Sequence, residues 1–232
     1  MERIGNDIVD LEQEGREPVR DLKRFCARVF TPRETAFLLG RGWRVRDVWS
    51  FWAAKEAAFK ALHRERAVNR FDFVPREFEV RPTLTGRRAA VHWGSRNSSN
   101  PGRPGAPAAV LCVRFDQQEG CVHAVCEDVD SPPALTLIGR YAPGSGSESE
   151  AVRELVFRCL NERFGIARTE LTIVGGGNSG WPPEILWRTG PGGRDRTRVP
   201  VSLSHHGQWL AAALPGACVR ALEFDQSRIA VY

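Results

Sequence analysis

The sequence predicts an α+β protein of two similar halves, each a helix packed on antiparallel strands, which form a pseudo-twofold dimer within one chain. The first observation is an internal repeat, in which "KEAAFKAL" at 55–62 aligns without gaps on "RELVFRCL" at 153–160. The second is a pair of hairpin-like segments, "VRFDQQEGCVHAV" at 113–125 and "VSLSHHGQWLAAA" at 201–213. In both halves, strand-like sequence lies between the helix and the hairpin. A repeated order of helix, strand and hairpin indicates a duplicated unit.

Changes in composition divide the chain in agreement with this duplication. Residues 142–150, "APGSGSESE", have the small and polar composition of a linker, and residues 94–109 have that of a turn-rich loop. We therefore expect a metal-binding and catalytic half at 1–130, a linker at 131–150 and a second repeat at 151–232.

Two glycine-rich segments are found in the second half, "GGGNSG" at 175–180 and "TGPGGRDRTR" at 189–198. Neither has the Gly-Lys-Ser/Thr ending of a P-loop, nor the strand-loop-helix spacing of a dinucleotide fold. We interpret both as hairpin or interstrand loops.

The bulk composition predicts a substantial core and is compatible with an acidic partner. The chain has 232 residues, of which 42% are hydrophobic, and 33 basic against 28 acidic residues give a net charge of +5. Nucleic acid, an anionic membrane surface, an acidic protein and a phosphorylated small molecule all fit this charge.

The amino terminus and the cysteines indicate a cytoplasmic protein. The sequence "MERIGNDIVDLEQEG" carries acidic residues and no long apolar run, so we expect no signal peptide. No segment approaches the roughly 18 apolar residues that a membrane-spanning helix needs. The six cysteines are scattered and lack zinc-site spacing, so we expect a reduced, soluble protein.

The amino-terminal strand "RIGNDIVDL" places Asp7 inside an apolar run. A buried charge is costly unless it is paired or bound to a metal. Asp10 has a simpler role, because "DLEQ" at 10–13 resembles a helix N-cap with glutamine at N3. Asp7 is therefore the candidate functional acid of this strand.

The helical segment "SFWAAKEAAFKAL", residues 50–62, brings Glu56 and Lys60 together on one face, since they lie four residues apart. An exposed ion pair on a solvated face is the simplest interpretation. Alternatively, Glu56 and Asp7 supply two hard oxygen ligands for Mg²⁺, a metal that keeps several waters and is usually shared with substrate phosphates.

The hairpin segment "VPVSLSHHG" at 199–207 crowds polar residues against a glycine turn. In an alternating strand Ser202 and Ser204 point to one face, and Leu203 and His205 to the other. Such a strand end suits phosphate or ribose recognition, although ordinary hairpins also contain these residues.

Taken together, these segments resemble the 4'-phosphopantetheinyl transferases. The family signatures are a Gly-x-Asp strand, a Trp-x-x-Lys-Glu-Ala-x-x-Lys helix and a Ser-x-Ser-His hairpin. They correspond here to "GNDIVDL", "WAAKEAAFK" and "VSLSH", and "RFCARVFTPRE" at 24–34 resembles the stretch between strand and helix. The helix matches at every fixed position, from Trp52 through Lys55 and Glu56 to Lys60.

The chain departs from both main branches of that family. The small trimeric holo-acyl-carrier-protein synthases have one short unit, whereas the larger branch, which activates surfactin synthetase, fuses two units and places the hairpin before the metal residues. This chain has the larger branch's length but its metal half comes first. Val9 replaces a third acid of the larger branch, and Trp181 replaces a basic residue before proline.

The resemblance implies a reaction and a set of roles. Phosphopantetheine would move from coenzyme A to a serine of an acyl or peptidyl carrier protein, releasing adenosine 3',5'-bisphosphate. Asp7 and Glu56 would hold Mg²⁺, Glu56 would take the serine proton, and Lys60 would balance charge on the leaving phosphate. Ser204 and His205 would face the coenzyme A nucleotide.

The resemblance also implies an acidic carrier protein as partner, which a basic helix would dock. Basic residues at near-helical spacing follow the metal strand: Arg16, Arg20, Lys23, Arg24 and Arg28. A solvated basic face is the alternative. Aromatic residues do not alternate with these cations as on a single-strand-binding surface, which disfavours nucleic acid. A monomer is expected, and the remaining alternative function is an inactive homologue that binds coenzyme A or a carrier.

Overall fold

The computed structural model describes residues 3–15, 19–65, 72–83, 86–94, 109–142, 144, 146–176, 181–189 and 195–229. The helices are α1 (Leu11–Glu14), α2 (Val19–Val29), α3 (Pro32–Gly40), α4 (Val45–Glu65), α5 (Glu148–Phe164) and α6 (Gly216–Ile229). The strands are β1 (Ile4–Asp10), β2 (Phe78–Pro82), β3 (Arg88–Trp93), β4 (Ala109–Gln118), β5 (Cys121–Glu127), β6 (Leu135–Arg140), β7 (Leu171–Val174), β8 (Glu184–Thr189), β9 (Asp195–Pro200), β10 (Ser202–His206) and β11 (Trp209–Leu214). Helices packed on antiparallel sheets confirm the predicted α+β class.

The first half forms one antiparallel sheet of five strands in the order β1-β5-β4-β3-β2. Strand β1 pairs with β5 along its whole length, from Ile4 opposite Glu127 to Asp10 opposite Cys121. All of β1 is buried, because α4 packs on one face of the sheet and the second half packs on the other. The strand that carries Asp7 is therefore enclosed on both sides.

The second half repeats this order of elements. Its strands form two three-stranded sheets, β10-β11-β6 and β7-β8-β9, and only Val201 separates β9 from β10. If β9 and β10 are taken as one long strand, the succession β6-β11-β10/β9-β8-β7 matches that of the first half. The aligned helical segments lie in α4 and α5, and the aligned hairpins in β4–β5 and β10–β11. This arrangement is compatible with the predicted pair of similar halves.

The segment predicted as a linker, 131–150, contains regular structure. Strand β6 pairs with β11, and α5 begins at Glu148. Leu135 and Leu137 of β6 pack on the core of the second half, so their burial stabilises a strand where composition indicated only a connection. The second half therefore starts before residue 151, and the division of the chain into domains otherwise stays a prediction.

Three predicted loops lie partly outside the described residues, which omit 95–108, 177–180 and 190–194. The strands that flank the last of these pair as an antiparallel hairpin, with Thr189 opposite Asp195. Thr189 and residues 195–198, which were predicted to lie in this loop, are therefore strand residues, and residues 190–194 of the predicted loop lie outside the described residues. Within the described ranges, no helix combines the length and apolar character that crossing a membrane requires.

The two halves meet through the sheet face of β1 and β5 that is turned away from α4. Ile4 and Val125 pack there against Ala213 of β11. Further along the same face, Ile8 packs against Trp209. These small buried clusters place the strand carrying Asp7 against the hairpin of the second half.

The turn of that hairpin closes on the amino-terminal end of α1. Asp10 caps α1 as predicted, since its carboxylate accepts from the backbone N–H groups of Glu12 and Gln13. The Asp10 backbone N–H donates to Nδ1 of His206 over 2.9 Å, and Nε2 of His206 lies 3.0 Å from the Glu14 carboxylate. The N-cap therefore also helps to join the halves.

Gly5 allows β1 to pack closely against α4, because a Cβ at this position would lie 2.0 Å from the carbonyl oxygen of Ala57. We expect Gly5→Ala to lower the free energy of unfolding by about 3 kcal/mol, the upper range for overpacking. Denaturant unfolding measures this change. Gly40→Ala is the control, since nothing lies within 4 Å of the added Cβ; equal losses in both variants would contradict the close approach.

Candidate active site between the two halves

Strand β1 directs Asp7 toward α4, where its carboxylate meets Lys60. Nζ of Lys60 donates to Oδ1 of Asp7 over 2.8 Å and to the backbone oxygen of Asn6 over 3.0 Å. The Asp7 side chain is only 12% exposed, against 30% for Lys60. The buried charge that marked Asp7 in the sequence is thus paired, and by a residue of the helix predicted to carry the site.

Strand β10 of the second half completes this arrangement. Oγ of Ser204 donates to Oδ1 of Asp7 over 2.9 Å and accepts from the backbone N–H of Ile8 over 3.2 Å. Oγ of Ser202 accepts from the backbone N–H of Asn6 over 2.8 Å. The two serines share one face of the strand, as predicted, and both hydroxyls dock β10 onto β1.

Glu56 lies near this centre, and its surroundings favour the protonated carboxyl. Burial and then the negative charge of Asp7 raise the pKa of Glu56 to about 7, while Lys60 acts in the opposite direction. Because the charge of Asp7 opposes the ionisation of Glu56, a divalent cation bound between the two carboxylates would stabilise both negative charges. The oxygen donors of Asp7 and Glu56 fit Mg²⁺ in this respect.

Further ligands for a metal would have to come from water or substrate. Among the described residues, no group of three or more His, Cys, Asp or Glu side chains is arranged to hold an ion. Val9, where the larger family branch has a third acid, is 2% exposed and packs in the core under α4. The assignment of Asp7 and Glu56 as metal ligands stays a prediction.

The raised pKa of Glu56 predicts a pH dependence of stability in metal-free protein. The ordinary pKa of a glutamate is 4.5, and in the folded state the pKa of Glu56 is about 7. Between these two pH values the folded state keeps a proton that the unfolded state has released. The stabilisation that is fully present below pH 4.5 is therefore lost as the pH rises through 7. Relative to Glu56→Gln, the free energy of unfolding of the wild type should fall by on the order of 3 kcal/mol across this window. Denaturant unfolding in chelator between pH 4 and 8 tests this; parallel curves for the two proteins would contradict it.

A cavity of about 310 Å³ opens beside Lys60 between the two halves. Ser202 and Leu203 of β10 contribute to its lining, which also contains basic and aromatic side chains: Phe59, Lys60, His63, Arg153, Trp181 and His205. His205 lies on the face of β10 opposite to Ser204, and its Nδ1 is 2.8 Å from the carboxylate of Glu148. Trp181 is 58% exposed at this cavity. Cations above an aromatic rim suit a phosphorylated ligand with a ring system.

The predicted docking residues are only partly described. Arg16 lies outside the described residues, and Arg20 falls on α2 but its side chain lies outside them as well. Lys23, Arg24 and Arg28 are exposed on α2. The helix is confirmed, and its role in docking stays a prediction.

Sequence reasoning assigned no role to Lys55, which is fully buried. Its Nζ donates to the carboxylate of Glu34 over 2.8 Å and to the backbone oxygens of Pro75 and Phe78. Glu34 also accepts from the backbone N–H of Val80 over 2.7 Å. The capping-box sequence "TPRE" at 31–34 signals Glu34 as a cap, but no local signal reveals its partner on another helix.

A second buried polar chain, also missed, lies on the other face of β1. Nδ2 of Asn6 is 3.2 Å from Nε2 of His123, and Nδ1 of His123 is 3.2 Å from the Asp116 carboxylate. His123 is fully buried. The contact of Asn6 joins β1 to the β4–β5 hairpin over 117 residues of sequence, so no short motif predicts it.

The second half lacks the acid of the first. By strand register, Asp7 lies opposite Ala124. Ala212 is the residue of the second hairpin that aligns with Ala124, and it lies opposite Leu137. Leu137 therefore stands where the first half has Asp7. Glu154, which aligns with Glu56, is exposed and lies 3.8 Å from Arg168. The acidic centre is therefore present in the first half and not at the corresponding place in the second.

Comparison with known proteins assigns a family to the segment that carries the acidic centre. Residues 3–110 match the family model of the 4'-phosphopantetheinyl transferase superfamily. Among solved structures, holo-acyl-carrier-protein synthase from Thermotoga maritima matches with a TM-score of 0.34 and 16% identity, over 78% of this chain and 82% of that chain. No curated protein matches the chain. The segment that carries the acidic centre, residues 3–110, is thus similar in sequence to the 4'-phosphopantetheinyl transferase superfamily.

Proposed function

We propose that this protein is a Mg²⁺-dependent 4'-phosphopantetheinyl transferase. It moves the phosphopantetheine arm of coenzyme A to a serine of an acyl or peptidyl carrier protein and releases adenosine 3',5'-bisphosphate. The observation that carries this proposal is the meeting of Asp7, Glu56 and Lys60 beside a basic cavity, all three within the segment that matches the family.

The proposed roles follow from the chemistry of phosphoryl transfer, which depends mainly on positioning and on neutralising charge. Asp7 and Glu56 would hold Mg²⁺, which when bound neutralises charge on the phosphoryl oxygens. Glu56 is also proposed to accept the proton of the carrier serine. Lys60 balances negative charge on the leaving phosphate.

His205 is the proposed contact to the 3'-phosphate of coenzyme A. It lines the cavity together with Lys60 and Arg153, so three cationic or protonatable groups surround the place for a phosphate. Trp181 lies where the larger branch has a basic residue, and it offers an aromatic surface to the ligand instead of a charge. The coenzyme is thus proposed to lie between the two halves.

The carrier protein is proposed to dock on α2, where Lys23, Arg24 and Arg28 are exposed. An acidic partner fits these side chains and the net charge of +5. We propose that the protein acts in the cytoplasm as a monomer, because its two halves already provide both sides of the cavity.

A catalytically inactive homologue that binds coenzyme A or a carrier is the second candidate. Two observations favour it, namely Val9 in the place of a third acid and Trp181 in the place of a base. Both candidates predict coenzyme binding, and only transfer to a carrier separates them.

Intact mass spectrometry of apo carrier proteins tests the proposal. Carriers from fatty acid, polyketide and nonribosomal peptide synthesis are incubated with the protein, coenzyme A and Mg²⁺. The expected result is a phosphopantetheine mass increase on at least one carrier. Coenzyme binding without transfer to any carrier would establish the inactive homologue instead.

A further inference from the structure

The hydroxyl of Ser204 is the link between the acidic centre of the first half and the hairpin of the second. It donates to Oδ1 of Asp7 over 2.9 Å, accepts from the N–H of Ile8 over 3.2 Å, and lies 3.5 Å from Nζ of Lys60. The Ile8 N–H donates to Oγ, so Oγ acts as an acceptor toward Ile8. The single hydroxyl hydrogen is therefore available to donate to Asp7. The same carboxylate oxygen therefore accepts from Ser204 and from Lys60.

Ser204 is poorly placed to contact a ligand in the cavity. It is 6% exposed and is absent from the lining of the cavity, to which β10 contributes Ser202, Leu203 and His205. The expectation that Ser204 contacts the coenzyme A nucleotide stays a prediction. Its contacts lie with the residues that would hold the metal and the leaving phosphate.

We propose that Ser204 is a positioning residue, supplied by the second half, that fixes the Asp7 carboxylate and the Lys60 ammonium relative to each other. This inference rests on the proposed function for its kinetic consequence. A group that orients charge for the transition state affects turnover, whereas a group that contacts the coenzyme affects binding. The two roles of Ser204 therefore predict different kinetic changes.

The kinetic test compares three variants in the carrier-modification assay. Ser204→Ala should lower kcat roughly tenfold, as expected for one lost hydrogen bond to a charged group, and leave KM for coenzyme A within about twofold. Ser204→Thr retains a hydroxyl and should recover most of kcat. Ser202→Ala is the matched control for kcat at saturating coenzyme A, because its hydroxyl also docks β10 on β1 but is hydrogen-bonded to a backbone N–H instead of an acid. Ser202 lines the cavity, so kcat and not KM is compared for this variant.

Two kinetic outcomes would overturn the proposal. A rise in KM for coenzyme A with kcat unchanged in Ser204→Ala would assign the serine to the coenzyme. If Ser202→Ala lost as much kcat as Ser204→Ala, the role of Ser204 would be only to hold the hairpin against β1. His205→Ala provides the positive reference for a loss of coenzyme binding.

Lysine labelling gives a readout that does not depend on activity. The chain has three lysines, Lys23, Lys55 and Lys60, so reductive methylation followed by peptide mass spectrometry resolves each one. Ser204→Ala should raise the labelling rate of Lys60 severalfold relative to Lys23, the exposed internal reference, while Ser202→Ala should leave this ratio unchanged. An unchanged ratio in Ser204→Ala would overturn the positioning role.

The same labelling separates the inference from the proposed function. If the wild type modifies no carrier, the proposed function fails, and the Lys60 labelling ratio still decides whether Ser204 positions the ion pair. If Ser204→Ala is too unstable to measure, Ser204→Cys keeps the shape but donates weakly, and it should show the same increase in Lys60 labelling.

Discussion

Asp7→Asn should lower the rate of carrier modification by on the order of 10³-fold with little loss of stability. The asparagine side-chain oxygen can still accept from Ser204 and Lys60, so the shape of the centre is retained while its negative charge is removed. A loss of that size corresponds to about 4 kcal/mol of transition-state stabilisation. The rate is measured by intact mass spectrometry at saturating coenzyme A, and thermal unfolding checks the fold.

Glu56→Gln tests the second acid of the same centre against a matched control. Its loss should be of the same order as that of Asp7→Asn, because a proton acceptor and a metal ligand are removed together. Glu154→Gln changes the aligned residue of α5, which is exposed and weakly paired, and should be within about twofold of wild type. Activity in Asp7→Asn or Glu56→Gln close to that of wild type would exclude these acids from the reaction.

The acidic centre could be predicted from the sequence by one anomalous residue and one family resemblance. Asp7 is a charge within an apolar strand, whereas the spacing of Glu56 and Lys60 also fits an exposed ion pair, and the resemblance of their helix to the transferase signature indicated a functional role. Strand alternation likewise predicted correctly that Ser204 and His205 face different ways. The charge of Asp7 in an apolar strand and the alternation of β10 depend only on local periodicity and burial rules.

The partners of those residues could not be predicted in the same way. That Lys60 bonds to Asp7, and that Ser204 joins them, depends on how β10 packs along β1 almost two hundred residues away. Strand β6 could not be predicted for a related reason, because its sequence "LTLIGR" is stabilised by pairing with β11 and not by any local turn or cap. Long-range packing decides such contacts, and the sequence of one segment does not contain it.

Lys55→Met should lower the free energy of unfolding by about 3–5 kcal/mol, the cost of leaving one member of a buried ion pair without its partner. Both Lys55 and Glu34 are fully buried, and their charged atoms lie 2.8 Å apart. Burial lowers the pKa of Lys55 despite the neighbouring carboxylate, which agrees with a costly charge held by its hydrogen bonds. Denaturant unfolding at neutral pH gives the change directly.

Adding Glu34→Gln to Lys55→Met should recover more than half of that loss. Glutamine keeps an acceptor for the Val80 N–H but removes the unpaired charge. If the double variant were no more stable than Lys55→Met alone, the cost would lie in lost packing of the lysine side chain and not in the ion pair.

The kinetic consequence of Lys55→Met distinguishes a structural lysine from a catalytic one. Lys55 adjoins Glu56 on α4, so the two side chains point roughly 100° apart around the helix. Hydrogen bonds from Lys55 to the backbone at Pro75 and Phe78 therefore fix the rotation at which Glu56 and Lys60 face Asp7. The folded fraction of Lys55→Met should keep its KM for coenzyme A within about threefold and lose turnover only to the extent that α4 rotates. A stable variant with no transfer at all would instead place Lys55 in the chemistry.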